Sequence, residues 1–294
     1  MLEENKKRQI NLESKNRKNK EQEKKLKKFK ITNYEITSEK ISQELRFVMI
    51  SDWHNVVFGE KNEPVFKAIH KINPDAILIA GDLVLGKQEA PLLPALESLK
   101  ELIKAAPVFY APGNHEQRMK RYPQNYEASF LEYETQIKKL GVHYLENEQE
   151  VLLVKGEKIR IYGLKLPYEY YKKGSKKAKT GPKAEELKTL LGEPDENGFH
   201  ILLAHTPRYA KEYFNWGADL TLSGHYHGGI LRLPFGGKGA LSPDFVLFPK
   251  YCYGLFEKGE QKLITGSGLG EHTLPIRIAN PRELVVISCK PKRK

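Results

Sequence analysis

The residues of this chain best suited to chemistry stand in Ser223-Gly224-His225-Tyr226-His227-Gly228-Gly229. Two histidines, one residue apart, follow the apolar run Ala218-Asp219-Leu220-Thr221-Leu222. Side chains at i and i+2 of a strand point to one face, so this spacing predicts that both rings converge just past the strand end. The flanking glycines let the backbone turn sharply and approach whatever the rings hold. Neutral imidazole is a common metal ligand, but two turn histidines would give the same pattern.

Four further apolar runs end in the same kind of residue. Leu45 to Ile50 leads into Ser51-Asp52-Trp53-His54, and Ala76 to Ala80 into Gly81-Asp82. Val108 to Tyr110 leads into Gly113-Asn114-His115-Glu116, and His200 to Ala204 into His205. Of nine histidines, five stand in these positions, which makes coincidence a poor explanation. His70, His143, His200 and His272 lack such a setting and read as ordinary surface or core residues. Carboxylate, imidazole and amide oxygen together suit Mn²⁺, Fe or Zn²⁺ and do not select among them.

These strand ends need a scaffold that gathers them. Helices are expected over Asn62 to Ile72, Pro91 to Ala106, about Tyr126 to Leu140, Ala184 to Leu191 and Pro207 to Asn215. A further strand is expected around Ile159 to Leu164, and two last ones over Lys262 to Gly266 and Leu284 to Ser288. Strands alternating with helices predict an α/β fold with helices on both faces of the sheet. In such folds sites collect at the carboxyl ends of the strands. Residues 166–182 are rich in lysine and tyrosine and read as a mobile, solvated loop. Residues 229–256 are loop-rich and apolar, and suit either core or a surface that meets a membrane.

The chain has 294 residues and a 39% hydrophobic fraction, enough for one large domain. Its net charge of +12 is unevenly placed. Residues 1–30 hold 12 Lys/Arg against 5 Asp/Glu, and residues 290–294 hold four Lys/Arg. The body, residues 31–289, has 33 Lys/Arg against 32 Asp/Glu and so is almost neutral. Residues 1–30 are expected to be a disordered or frayed helical tail and residues 31–294 the folded domain. A basic tail suits an anionic membrane, whereas a neutral body disfavours a nucleic-acid groove. No membrane-spanning run and no signal-peptide pattern occurs, so the expected location is the cytoplasm, with peripheral membrane contact through the tail. Cys252 and Cys289 make no disulfide framework and read as buried or inert thiols.

The five motifs, in order and spacing over roughly residues 45–230, resemble those of the calcineurin-like metallophosphoesterases. Gly228-Gly229, Ser267-Gly268-Leu269-Gly270 and Pro275-Ile276-Arg277 resemble the bacterial branch that includes YkuE- and YaeI-like phosphodiesterases. The resemblance implies a two-layer β-sandwich of mixed sheets flanked by helices, with two divalent metals at one edge. Asp52, His54, Asp82 and His227 would hold one metal, and Asp82, Asn114, His205 and His225 the other. His115 would be the general acid. The implied activity is hydrolysis of a phosphodiester or pyrophosphate, in a small molecule or lipid-linked nucleotide. A metal-dependent nuclease and a non-catalytic scaffold are the alternatives. Many relatives carry an acid three residues after the shared aspartate, where this chain has Leu85, so support for His115 must come from elsewhere. The arginine-bearing stretch that follows this aspartate in protein phosphatases is also missing, which argues against a phosphoprotein substrate.

Overall fold

The computed structural model describes residues 28–172, 174–195, 198–232, 239–242, 246–271 and 276–292. The expected character of the tail therefore lies outside the described residues, apart from its last three positions, and His272 lies outside them too.

Fourteen strands are described. They are β1 (Phe29–Ser38), β2 (Leu45–Ile50), β3 (Ala76–Ala80), β4 (Val108–Ala111), β5 (His143–Tyr144), β6 (Glu148–Val154) and β7 (Glu157–Leu164). Then come β8 (Phe199–Ala204), β9 (Leu220–Ser223), β10 (Leu231–Arg232), β11 (Gly239–Leu241), β12 (Gly254–Lys258), β13 (Gln261–Thr265) and β14 (Arg282–Pro291). The α-helices are α1 (Glu63–Ile72), α2 (Leu93–Leu102), α3 (Asn114–Arg121), α4 (Phe130–Lys139), α5 (Lys176–Thr180), α6 (Ala184–Leu191) and α7 (Ala210–Trp216).

The strands form two six-stranded mixed sheets, ordered β1-β14-β2-β3-β4-β5 and β12-β13-β9-β8-β7-β6, with β10 and β11 as a separate pair. β2, β3, β4 and β5 run parallel, as do β7, β8, β9 and β13. All five motif-bearing strands thus end toward the same side of their sheets.

Burial on both faces explains why these strands read as unbroken apolar runs. Phe47 and Met49 of β2 point into the layer between the sheets, where they meet Leu78, Phe109, Ile161, Ile201, Leu203 and Ile264. Val48 and Ile50 point the other way, onto Val65, Ile69, Leu96, Leu99, Tyr133 and Ile137 of the helices. In the second sheet, Leu202 packs with Tyr162, Leu187, Leu191, Tyr213 and Trp216 under α6 and α7. The molecule is therefore α/β, two mixed sheets face to face with helices outside. Among the described residues no helix is long and apolar enough to cross a membrane. Both cysteines are free and buried.

Three expectations change. A helix, α3, begins at Asn114, where the sequence reading had only a strand end. Its signal was present: Glu116 stands three residues after Gly113 and accepts the Gly113 N–H at 2.8 Å, the reciprocal bond of a helix start. The edge strand β6 went unread because its residues are mostly exposed and its apolar residues run together without alternating, Leu153 being 76% exposed. Residues 166–182 are not simply solvated loop. They include α5, bury Leu166 and Tyr170, and set Tyr171 with its ring centroid 5.6 Å from that of His225.

Candidate metal centre

His225 and His227 do not converge on one place, as strand pleating would have them do, but enter two neighbouring groups. β9 ends at Ser223, and both histidines follow it with φ of 65° and 49°. Asp52 (46°), His54 (49°) and Asp82 (54°) share this left-handed conformation. Such backbone costs roughly 1–3 kcal/mol per residue and collects at functional sites. The turns split the histidine pair. His227 lies with Asp52 and His54, and His225 with Asp82 and His205.

Glycine makes room for both carboxylates. A Cβ on Gly113 would fall 2.1 Å from Asp82 Oδ1, and one on Gly224 would fall 2.2 Å from Asp52 Oδ2. Each carboxylate is also held by backbone. The His225 N–H donates to Asp52 at 2.9 Å and 3.1 Å, and the His115 N–H donates to Asp82 Oδ1 at 2.9 Å. Asp82 Oδ2 then faces three rings, with His205 Nε2 at 3.1 Å and the Nε2 atoms of His54 and His115 both at 3.9 Å. His227 Nε2 is 3.4 Å from Asp52 Oδ1 and 3.3 Å from His54 Nε2. Asn114 Oδ1 lies 2.9 Å from His225 Nδ1.

Three groups of His and Asp side chains could therefore hold an ion: Asp52, His54 and His227; His54, Asp82 and His115; Asp82, His205 and His225. Asp52, His54, Asp82, His205 and His227 are buried, while Asn114, His115 and His225 are half-buried. The half-buried trio marks the side from which a ligand can enter.

The electrostatics suit cations. Burial and the adjacent His115 ring push His54 down to about 3, so it is neutral. Its Nδ1 lies 3.2 Å from the Val84 carbonyl, to which it donates, leaving Nε2 a lone pair. Asp82 is held well below the usual carboxylate range, because His205, His115 and His54 outweigh its burial. Burial opposes charge on His205, but Asp82 and Asp52 raise it to about 10. Its Nδ1 donates to the Ala80 carbonyl at 2.8 Å, while the buried Nε2 makes no aligned hydrogen bond. A buried imidazole nitrogen 3.1 Å from Asp82 Oδ2 and 3.9 Å from Asp52 Oδ1 is a donor set that fits a cation.

Support for His115 comes from the backbone. The Gly86 N–H, one residue after Leu85, donates to His115 Nδ1 at 2.8 Å. That bond leaves Nε2 as the proton-bearing nitrogen of the neutral ring.

Two outer residues were quoted in the sequence motifs without a role. Glu116 is fully buried and accepts hydrogen bonds from the N–H groups of Asp82, Val84 and Gly113 and from the Tyr110 hydroxyl. Arg277 donates to the carbonyls of Ser267, at 2.8 Å, and Gly270, and lies 3.3 Å from His227 Nδ1. Asn280 secures the same turn from behind, donating to the His227 carbonyl at 2.6 Å. No sequence pattern announced Asn280.

A model of the family described as Calcineurin-like phosphoesterase matches residues 45–229. The chain is 27% identical over 267 residues to a metallophosphoesterase of Helicobacter pylori strain J99, covering 87% of this chain and 62% of that protein. It is 34% identical over 110 residues to metallophosphoesterase YkuE of Bacillus subtilis, covering 34% of this chain and 37% of that one. It is 29% identical over 197 residues to phosphodiesterase YaeI of Escherichia coli, covering 67% and 64% respectively. The chain thus spans about three fifths of the Helicobacter relative, 62% of its length. With a family model matching residues 45–229, the span that holds every side chain of the cluster, the chain belongs to the calcineurin-like phosphoesterase family.

Proposed function

We propose that this chain is a metal-dependent hydrolase of phosphoester bonds, with a phosphodiester or pyrophosphate in a small molecule as its substrate. The observation that carries the proposal is Asp82, whose Oδ1 is fixed by a backbone N–H while Oδ2 faces three imidazoles. A carboxylate so placed suits a ligand shared by two ions. In this reading Asp52, His54, Asp82 and His227 hold one divalent ion, and Asp82, Asn114, His205 and His225 the other. Mn²⁺, Fe and Zn²⁺ all fit these donors. Paired ions supply an activated water nucleophile at neutral pH and neutralise phosphoryl charge.

The chain's own residues do the rest. His115, on the half-buried side, presents Nε2 to the leaving oxygen and gives it a proton. Gly86 keeps that ring in place through Nδ1. Tyr171 walls the His205 and His225 side and narrows the approach of water. The relative named a phosphodiesterase supports the diester reading, and the near-neutral body weighs against a nuclease.

The test is hydrolysis of bis-(p-nitrophenyl) phosphate and p-nitrophenyl phosphate by the chelator-stripped chain, before and after adding Mn²⁺. Metal-dependent turnover with the diester preferred is expected. No turnover of either ester with two ions bound would favour the scaffold alternative.

His205 adds a pH signature. Its raised value of about 10 means the metal-free ring is protonated near neutral pH, and an ion taking Nε2 must expel that proton. Calorimetric titration with Mn²⁺ in buffers of different ionisation enthalpy is expected to report release of about one proton. Heats that do not vary with the buffer would contradict the role given to His205. The same shift gives the metal-free protein stability that is present below the ordinary histidine value and lost as pH rises toward about 10.

A further inference from the structure

On the segments that follow His227 and flank Arg277 lies a set of apolar side chains exposed among the described residues. Val246, Leu247 and Phe248 are consecutive and 46%, 70% and 66% exposed. Leu231, Ile276 and Ile278 are 36%, 48% and 53% exposed. Backbone pairing links three of them, through Leu241, into one strip. Ile278 bridges Leu231, Leu231 pairs with Leu241, and Leu241 bridges Leu247. Leu231 follows His227 by four residues, and Ile276 and Ile278 flank Arg277, which touches His227. Soluble monomers seldom expose a contiguous apolar surface without a use for it.

Sheet topology brings the basic tail to the same edge. β2 ends at the metal centre, and β14 runs antiparallel to it, so Arg282 at the start of β14 is on that edge. β1 runs parallel to β14 with Phe29 opposite Arg282, so the chain preceding Phe29 departs from that edge as well. Residues 1–30 carry 12 Lys/Arg against 5 Asp/Glu, and Lys250 closely follows the exposed Val246-Leu247-Phe248.

We propose that this edge is a docking surface for an anionic lipid bilayer, with Val246, Leu247, Phe248, Leu231, Ile276 and Ile278 entering the interface and the basic tail meeting the headgroups. Apolar insertion and a polybasic segment are each weak, and stable attachment takes two such signals. Anionic lipid, rather than a protein groove, is favoured because the N-terminal tail that leaves from this edge holds 12 Lys/Arg against 5 Asp/Glu, while the body around the patch is nearly neutral. Docking holds whether or not the centre hydrolyses phosphoesters, so the two proposals fail separately.

The experiment is co-sedimentation of the full chain with vesicles of phosphatidylcholine alone or with roughly a third phosphatidylglycerol. The L247D/F248D variant and a chain lacking residues 1–27 are run in parallel. The intact chain is expected to bind the anionic vesicles at least ~10-fold better than the neutral ones, and less well in high salt. Each altered chain is expected to lose at least ~10-fold of that binding, the tail deletion losing the salt dependence. Hydrolysis of soluble bis-(p-nitrophenyl) phosphate and the melting temperature report that the L247D/F248D variant is folded. An intact chain that stays in the supernatant overturns the proposal. So does a variant that binds as well as the intact chain. Sedimentation velocity showing a dimer that L247D/F248D abolishes, with no vesicle binding, would assign the surface to a second copy instead.

Discussion

Asp82→Asn is expected to lower metal-dependent hydrolysis by at least ~10³-fold, the scale of losing a principal electrostatic element of an active site. That loss corresponds to about 4 kcal/mol of transition-state stabilisation. The substitution keeps the side-chain volume and an oxygen for the His115 N–H, so the turn is preserved. It removes the charge that faces His205, His54 and His115. If Asp82 serves both ions, a single substitution weakens both. Metal content should therefore fall toward zero rather than by half. The measurements are the diesterase rate, ion stoichiometry of the purified variant, and melting temperature with and without Mn²⁺. Bound ions stabilise a native state by mass action, so the parent should gain stability on adding Mn²⁺ and the variant should not. A variant that keeps both ions and near-parental turnover would end the shared-ligand reading.

Glu116→Ala is the second large effect, and it acts on folding. The carboxylate accepts from Gly113 N at 2.8 Å, Asp82 N at 3.0 Å, Val84 N at 3.2 Å and the Tyr110 hydroxyl at 2.6 Å. Its removal leaves buried N–H groups without partners, and each such group costs about 1–3 kcal/mol. A total near 4 kcal/mol is expected after local rearrangement, a large share of the roughly 5–15 kcal/mol that stabilises a typical domain. Glu116→Gln should cost less, because it keeps one acceptor oxygen. Urea unfolding of the metal-free proteins would measure both. A loss under about 1 kcal/mol in the alanine variant would mean that water replaces the carboxylate. Because the Asp82 turn hangs from Glu116, ion affinity should drop in step with stability.

Burial and the Asp82 charge push Glu116 up to about 7, above the ordinary carboxylate value, even with four donors around it. Its contribution to metal-free stability should therefore fall as pH rises toward about 7, since the native state holds the proton longer than the unfolded chain. The Gln variant should lack that slope.

The candidate side chains of the centre were conspicuous in the sequence because they follow strands buried on both faces. Leu45 to Ile50, Ala76 to Ala80 and His200 to Ala204 are apolar almost throughout, so the polar residue after each run is conspicuous. The parallel strand order then brings those ends together, which the alternation of strands and helices had implied. Positions whose patterns are weak were not legible. β6 is an exposed edge without clean alternation, and α3 is a short helix with little apolar face.

By itself the sequence offered the candidate donors, the strands that carry them and the concentration of charge in the tails, since each depends on residue type and local order. Only the tertiary structure shows what orients them. His225 and His227 go to different groups because left-handed turns, not the strand pleat, orient them. The support of His115 by Gly86, the suspension of the Asp82 turn from Glu116 and the seating of Arg277 against His227 join residues between 29 and 50 positions apart. Contacts at that separation are set by the packing of two sheets and leave no local pattern to read. The same holds for the apolar edge. Val246 to Phe248 look like core in a list of residues, yet the fold leaves them 46%, 70% and 66% exposed.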